Sequence, residues 1–363
     1  ERTWRGSAVE MGLGAAVGTD GSLVVVGIRA TSFDDNAWLT GNIRKLDGAG
    51  TPLWGKALRF AAAGVALAPD GAIYAAGTRV TTSGVPIAVL AKMKPDGSPL
   101  WQRDLPPAGG NGASRGLAVV VAPAGNVVWV GGSERTDTGW DVRLAKYTAA
   151  GQHARSVRYR PPFGTESAAL GIDLDGSGNV YVAGESDEIA PGFDYVSHSR
   201  SLVAKFSRTG ALVWARYLPV GPDGYDGASD VAVGPGDALY VAAGRGAADY
   251  DGVLWKLAAQ TGAVGWRRII DSGANDNLVS VAVRPGAGDV CGVGGTDDYA
   301  SAFVVCYSSE GVRLWQQAAP SHAPGIAIGE SLALTADGST YVTGATTTSA
   351  AAAGIDLWVA QYR

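Results

Sequence analysis

Short apolar runs alternate with turn residues along this chain, and the alternation recurs at a period far longer than one strand. Asp175-Gly176-Ser177-Gly178-Asn179-Val180-Tyr181-Val182-Ala183-Gly184 states the pattern as a turn, then an apolar strand that stops at glycine. Related strands follow Asp20-Gly21, Asp70-Gly71, Ala124-Gly125, Pro235-Gly236, Gly286-Ala287-Gly288 and Asp337-Gly338, which makes seven copies. Another short apolar strand precedes each, as in Val65-Ala66-Leu67, Val231-Ala232-Val233, Val281-Ala282-Val283 and Leu332-Ala333-Leu334. Two such strands across a Gly-bearing turn read as a β-hairpin.

A third strand ends in an apolar-Lys-apolar signature at Lys45, Lys92, Lys146, Lys205 and Lys256, with Cys306 and Gln361 in the last two copies. These positions are 47, 54, 59, 51, 50 and 55 residues apart. A fourth strand carries Trp54, Trp101, Trp214, Trp266 and Trp315, whereas the third copy has Arg155-Ser156 there. The seventh copy has no fourth strand, and Thr3-Trp4-Arg5-Gly6 is a Trp-bearing strand with no preceding partners.

Repeats of this length point to a propeller or a solenoid. A solenoid would need polar caps at two ends, so the expected fold is all-β: one seven-bladed β-propeller of four antiparallel strands per blade over residues 1–363. Residues 1–8 supply the closing strand of blade 7, about 9–320 the first six blades, and about 321–363 the other three strands of blade 7. Closure removes open sheet edges. The repeated Trp is expected to fill the wedge between blades, and the repeated Lys to lay its stem on a neighbour while its ammonium stays in water.

Composition narrows the partners. A net charge of -5 removes the electrostatic attraction that drives binding to phosphates, which excludes nucleic acid. No run approaches the ~20 apolar residues of a membrane span, and a monomer is expected. The start at Glu1, without Met, leads to the expectation that a signal, anchor or preceding domain has been removed.

The segments DGSGNVYVAGES (Asp175 to Ser186) and LVAKFSRTGALVWARYL (Leu202 to Leu218) resemble the bacterial seven-bladed propeller repeat labelled SBBP, and the likeness extends over essentially the whole chain. It implies an extracellular or envelope-associated repeat without an assigned catalytic residue. The segment from Leu257 to Trp266 is similar to the docking motif of pyrroloquinoline-quinone dehydrogenases, which have eight blades and further metal-site residues.

Strand order places the loops joining strands two to three, and blade to blade, on one face, where they are long. That face is the expected working surface. It carries Asp34, Asp35, Asp187, Glu188, Asp249, Asp297 and Asp356 against Arg79, Arg135 and Arg245, and pairs acids with rings in Trp140-Asp141, Asp194-Tyr195, Tyr250-Asp251 and Asp298-Tyr299. A flat apolar platform beside hydroxyl-accepting carboxylates suits a carbohydrate, and the acids also suit a cationic protein or a metal. Alternatively, Asp141, Asp251 and Asp356 share one position before strand three, where Asp bonds turn N–H groups. Residues opening the inner strands are expected to line a central funnel: Arg115, Glu166, Asp226, Asp230, Asn275, Asp276 and Glu330.

Other motifs carry less. Gly112-Ala113-Ser114-Arg115-Gly116 matches a nucleophile elbow but lies between blades rather than in a strand-turn-helix. Asp173, Asp175, Ser177 and Asn179 alternate like a calcium loop, yet Gly184 stands where the twelfth-position Glu belongs, so a hairpin turn competes with calcium, and no other cofactor is expected. His153, His198 and His322 fall in separate blades. Cys291 and Cys306 lie opposite each other if their hairpin closes symmetrically, which leaves both an oxidised and a reduced buried pair open. The resulting expectation is a non-catalytic exported scaffold binding a glycan or envelope protein. The alternatives are a lyase or hydrolase using the funnel carboxylates with a divalent cation, and a spacer module.

Overall fold

The computed structural model describes all residues except 1, 5–8, 31–39, 108–111, 190–195, 220, 222–223, 247–248, 319–326, 348–354 and 363. Among the described residues every regular element is a β-strand. The strands pair antiparallel in runs of four. The first run is Val9–Val17, Leu23–Ala30, Thr40–Leu46 and Pro52–Leu58; the second is Ala61–Leu67, Ile73–Val80, Pro86–Met93 and Pro99–Leu105. The third is Ser114–Val121, Val127–Thr136, Gly139–Thr148 and His153–Tyr159; the fourth is Glu166–Leu174, Val180–Ile189, Val196–Phe206 and Leu212–Tyr217. The fifth is Asp226–Gly234, Ala238–Gly246, Tyr250–Ala258 and Val264–Ile270; the sixth is Ser280–Val283, Val290–Thr296, Ser301–Tyr307 and Arg313–Ala318. The last, Ala327–Leu334, Thr340–Thr346 and Asp356–Tyr362, takes Arg2–Trp4 as its outer strand, in the register Arg2↔Val359, Thr3↔Trp358 and Trp4↔Leu357. Runs three and four join into one eight-stranded sheet through a single parallel pair, Trp140↔Glu166.

The first strand of each run packs against the first strand of the next, and Ala327–Leu334 packs against Val9–Val17. Second and third strands are almost wholly apolar and buried, as in Leu23–Ala30 and Ser301–Tyr307, and they form the cores between runs. Outer strands alternate, with Leu53, Leu100 and Leu314 exposed beside half-buried Trp54, Trp101 and Trp315. That is the period-2 pattern of a sheet edge with one packed face.

Successive runs are latched at their outer edges. Trp101 Nε1 and Lys92 Nζ both donate to the carbonyl of Ala149, in the third run's last turn. Trp266 and Lys256 do the same to Ser309, and Lys146 donates to Arg208. The turn glycines beneath are held close, so a Cβ at Gly151 would come within 2.9 Å of Trp101, and both Gly151 and Gly311 have positive φ that favours glycine. The Lys reading is therefore corrected in part. It is the ammonium that lies over a ring, with Lys92 Nζ 5.0 Å from Tyr74 of its own run, and that ammonium serves a carbonyl of the next run, while Lys205 is buried and bonded to Gln260. The turn carbonyl has two lone pairs, and at Ala149 and Ser309 the lysine fills the one that the Trp indole leaves.

Cys291 and Cys306 are direct partners on adjacent strands, both buried, and form a disulfide.

Candidate functional site

A local irregularity decides what faces the axis. In six of the inner strands one extra residue interrupts the register: Leu13, Ala63, Leu117, Leu170, Ser229 and Glu330. Such bulges bend a strand and re-aim a side chain. Together with Val279 of the sixth run, these residues line an axial cavity of about 370 Å³. The next residue of each strand, including Asp230 and Ser280, lines it as well, and a second cavity of about 390 Å³ further along the strands includes Asp173.

Three carboxyls thus enter an otherwise small or apolar channel, each from a different run and at a different depth. Asp230 accepts from the Ser280 hydroxyl at 2.7 Å and the Val281 N–H at 3.0 Å. Asp173 accepts from the Val233 N–H at 2.7 Å. Each ties its inner strand to the exposed backbone edge of the following one. Burial pushes both carboxyls up to about 6, against the pull of those hydrogen bonds. Glu330 has no such bond, and burial alone pushes it up to about 7.

The expected funnel set divides. Asp230 and Glu330 line the axial cavity, whereas Arg115, Glu166, Asp226 and Asp276 do not. Asp226 Oδ2 accepts from the Gly221 N–H at 2.8 Å, and Asp276 Oδ2 from the Ser272 N–H at 2.6 Å, so both are buried caps of the loops that enter their runs. Asn275 donates to Asp298 at 2.7 Å. In the calcium-like run, Asp175 accepts from the N–H groups of Ser177 and Asn179, which is a turn cap, while Asp173 faces the fifth run.

The opposite expectation, that strand two-to-three connections are long, is corrected for several runs: they are turns at Thr81–Val85, Asp137–Thr138 and Asp297–Ala300, because the flanking strands stay paired almost to the tip. Asp34, Asp35, Asp194 and Tyr195 lie outside the described residues. Asp297, Asp298 and Tyr299 all have positive φ, three consecutive non-glycine residues in the left-handed region. This conformation costs energy and holds Tyr299 at the rim.

Aromatic and charged residues on this face meet in two clusters. At the junction of runs three and four, the Arg115 guanidinium sits 4.5 Å from the Trp140 ring and Arg135 5.9 Å from it. Burial raises the Glu166 pKa here, and the two arginines oppose the rise. At the junction of runs four and five, a Cβ on Gly227 would lie 3.5 Å from Glu185 Oε2 and 4.0 Å from the Tyr250 hydroxyl. Burial, then Asp187, pushes Glu185 up to about 7. Burial raises Tyr250 well above the ordinary phenol range, reinforced by Asp226 and Glu185. Glu185 is not among the residues the sequence points to, because the apolar run stops at Gly184 while the strand itself continues through Glu185 to Ile189.

Asp141 does not bond turn N–H groups as one reading proposed. It is buried and accepts from Arg160 Nε at 2.7 Å, beside a second buried pair, Arg143 with Glu134 at 3.1 Å. Asp251 is buried and lies 3.7 Å from Arg245, with Asp249 and Asp271 nearby.

No family model and no curated protein matches the chain. Among solved structures it is similar to Kuenenia stuttgartiensis hydrazine synthase, at 12% identity and TM-score 0.61 over 93% of this chain and 96% of that one. It is also similar to the β-propeller domain of the Trilobed protease from Pyrococcus furiosus, at 10% identity and TM-score 0.54 over 98% and 95% of the two chains. Chaetomium thermophilum Sqt1, solved bound to the N-terminus of the ribosomal protein L10, matches at 10% identity and TM-score 0.55 over 98% and 97%. At such identity the likeness shows the fold alone. The fold is a β-propeller.

Proposed function

We propose that this chain is a seven-bladed ring of the bacterial SBBP kind, exported, and that it works as a non-catalytic scaffold binding a basic segment of a partner protein. Seven inner strands lining one cavity, with Arg2–Trp4 completing the last run, support the blade count. The Cys291–Cys306 disulfide supports an oxidising, exported location.

The observation that carries the binding reading is the meeting of Glu185 and the Tyr250 hydroxyl on either side of Gly227, with Asp187 on the strand that carries Glu185. A lysine or arginine reaching Tyr250 would find carboxylates to pair with and a ring to lie against. A glycan has less support, since the Trp140 ring proposed as its platform already carries Arg115. The lyase or hydrolase reading has less support too, because Asp230 is committed to Ser280 and Val281 and five of the seven expected funnel residues lie off the axial cavity.

Fluorescence-labelled peptides of equal length, Lys/Arg-rich or Asp/Glu-rich, test the reading. Basic peptides should bind in a salt-sensitive manner, and Glu185→Gln with Asp187→Asn should weaken them. Equal binding of both peptide classes, or no loss in that double variant, would refute it.

A further inference from the structure

We propose that Asp249, Asp251 and Asp271, at the rim of the fifth run, form a calcium site. One oxygen from each carboxylate lies within 4.8 Å of one from each of the others. Like charges at that spacing repel unless a cation lies among them, and an all-oxygen set suits a hard divalent ion. Acidic groups also cluster in water without an ion, so their proximity is not the whole argument.

Two further observations point to a cation. Asp251 is only 4% exposed, and its Oδ1 has no hydrogen-bond donor. Arg245 approaches the other oxygen, Oδ2, at 3.7 Å, which leaves one guanidinium against three carboxylates. Asp276, fully buried, adds negative charge beside Asp251, and its own Oδ1 lacks a donor as well. A buried carboxylate oxygen without a hydrogen-bond donor, in a group outnumbering its one guanidinium, is expensive to keep.

The chain also contains its own comparison. In the third run Val142 pairs with Tyr159, so the next position sets Asp141 against Arg160; in the fifth, Gly252 pairs with Ile270, which sets Asp251 against Asp271. Arg160 donates to buried Asp141 at 2.7 Å. On the outer-strand side one run sets a guanidinium against its buried aspartate, while the other sets a second carboxylate there, leaves Asp251 only the more distant Arg245 on its other side, and adds Asp249 as a third acid. A bound cation takes the place that Arg160 fills in the third run and turns the repulsion into coordination. This inference does not rest on the peptide-binding reading, and its test uses the metal alone.

The full chain is stripped with EDTA, dialysed, and titrated with calcium chloride by calorimetry and by thermal unfolding. One saturable Ca²⁺ per chain is expected, with a Tm that climbs as Ca²⁺ is raised. Asp271 is exposed, so its variants should fold. Asp271→Asn should weaken binding at least about tenfold, since ligand charge sets calcium affinity. Asp271→Arg should copy the third run: calcium dependence disappears, and the calcium-free Tm exceeds that of the wild type. A wild-type chain with no binding heat and no Tm response up to millimolar Ca²⁺ would overturn the site. So would Asp271→Arg titrating like the wild type, or equal affinity for Mg²⁺.

Discussion

Glu330→Gln isolates the energetic consequence of placing a carboxyl in the channel. Glu330 stands in the ring of bulged residues with Leu13, Ala63, Leu117, Leu170, Ser229 and Val279, and burial pushes it from the usual 4.5 up to about 7. A carboxyl whose pKa is higher when folded holds its proton more tightly in the folded state. Stability therefore falls as pH rises from about 4.5 to about 7 and levels off above that. At 1.36 kcal/mol per unit, the ionised side chain costs about 3 kcal/mol at pH 8, an upper figure because the half-buried carboxyl faces a lumen where water offsets part of the penalty. With an unfolding entropy of about 2 cal/mol/K per residue over 363 residues, this corresponds to at most about 4 °C. Scanning calorimetry of wild type and Glu330→Gln in a pH series should show equal Tm near pH 4.5 and a variant stabilised by up to about 4 °C at pH 8. A difference that does not change with pH, or a variant less stable at pH 8, would refute the reasoning.

Asp230→Ala should have the opposite sign at a pH near 5, where burial keeps the carboxyl largely protonated, because it removes the acceptor for Ser280 and Val281; a loss of about 1–3 kcal/mol in urea unfolding is expected, and a neutral result would deny the strand-tying role. Deleting residues 1–8 removes Arg2–Trp4 and bares the edge of Asp356–Tyr362, so Tm should fall and light scattering should show association, whereas an unchanged monomer with wild-type Tm would contradict closure. Replacing Cys291 and Cys306 together by Ala opens a 15-residue loop in the unfolded chain and should cost about 3 kcal/mol, measured by denaturant unfolding; no loss would mean that the bond adds no stability.

Much of the architecture was legible because strand and turn signals are local. Apolar runs such as Val180-Tyr181-Val182 follow positive-φ turn glycines such as Gly178 and need no distant partner to be recognised. The register of Cys291 with Cys306 likewise followed from the symmetry of one hairpin. Part of the channel was also present in the sequence, in columns that a strand-by-strand reading overlooks. Aligning Leu13-Gly14-Ala15-Ala16 with Leu170-Gly171-Ile172-Asp173, Ser229-Asp230-Val231-Ala232 and Glu330-Ser331-Leu332-Ala333 shows each acid replacing a small or apolar residue at a different step.

By itself, the sequence determined the repeats, the hairpins within them and the strands' order, since these depend on residues close together in the chain. Only the tertiary structure decided which charges meet. A one-residue bulge moves a side chain to another face, which brings Glu330 to the axis, while the path of the loops entering their runs leaves Asp226 and Asp276 as caps. Strand pairing within the third run laid Arg115 on Trp140, and packing between runs brought Glu185 near Tyr250. Pairing between strands gave Asp141 an arginine and Asp251 a second acid. Charge interactions depend on separation and burial in three dimensions, and neither quantity is encoded by spacing along the chain.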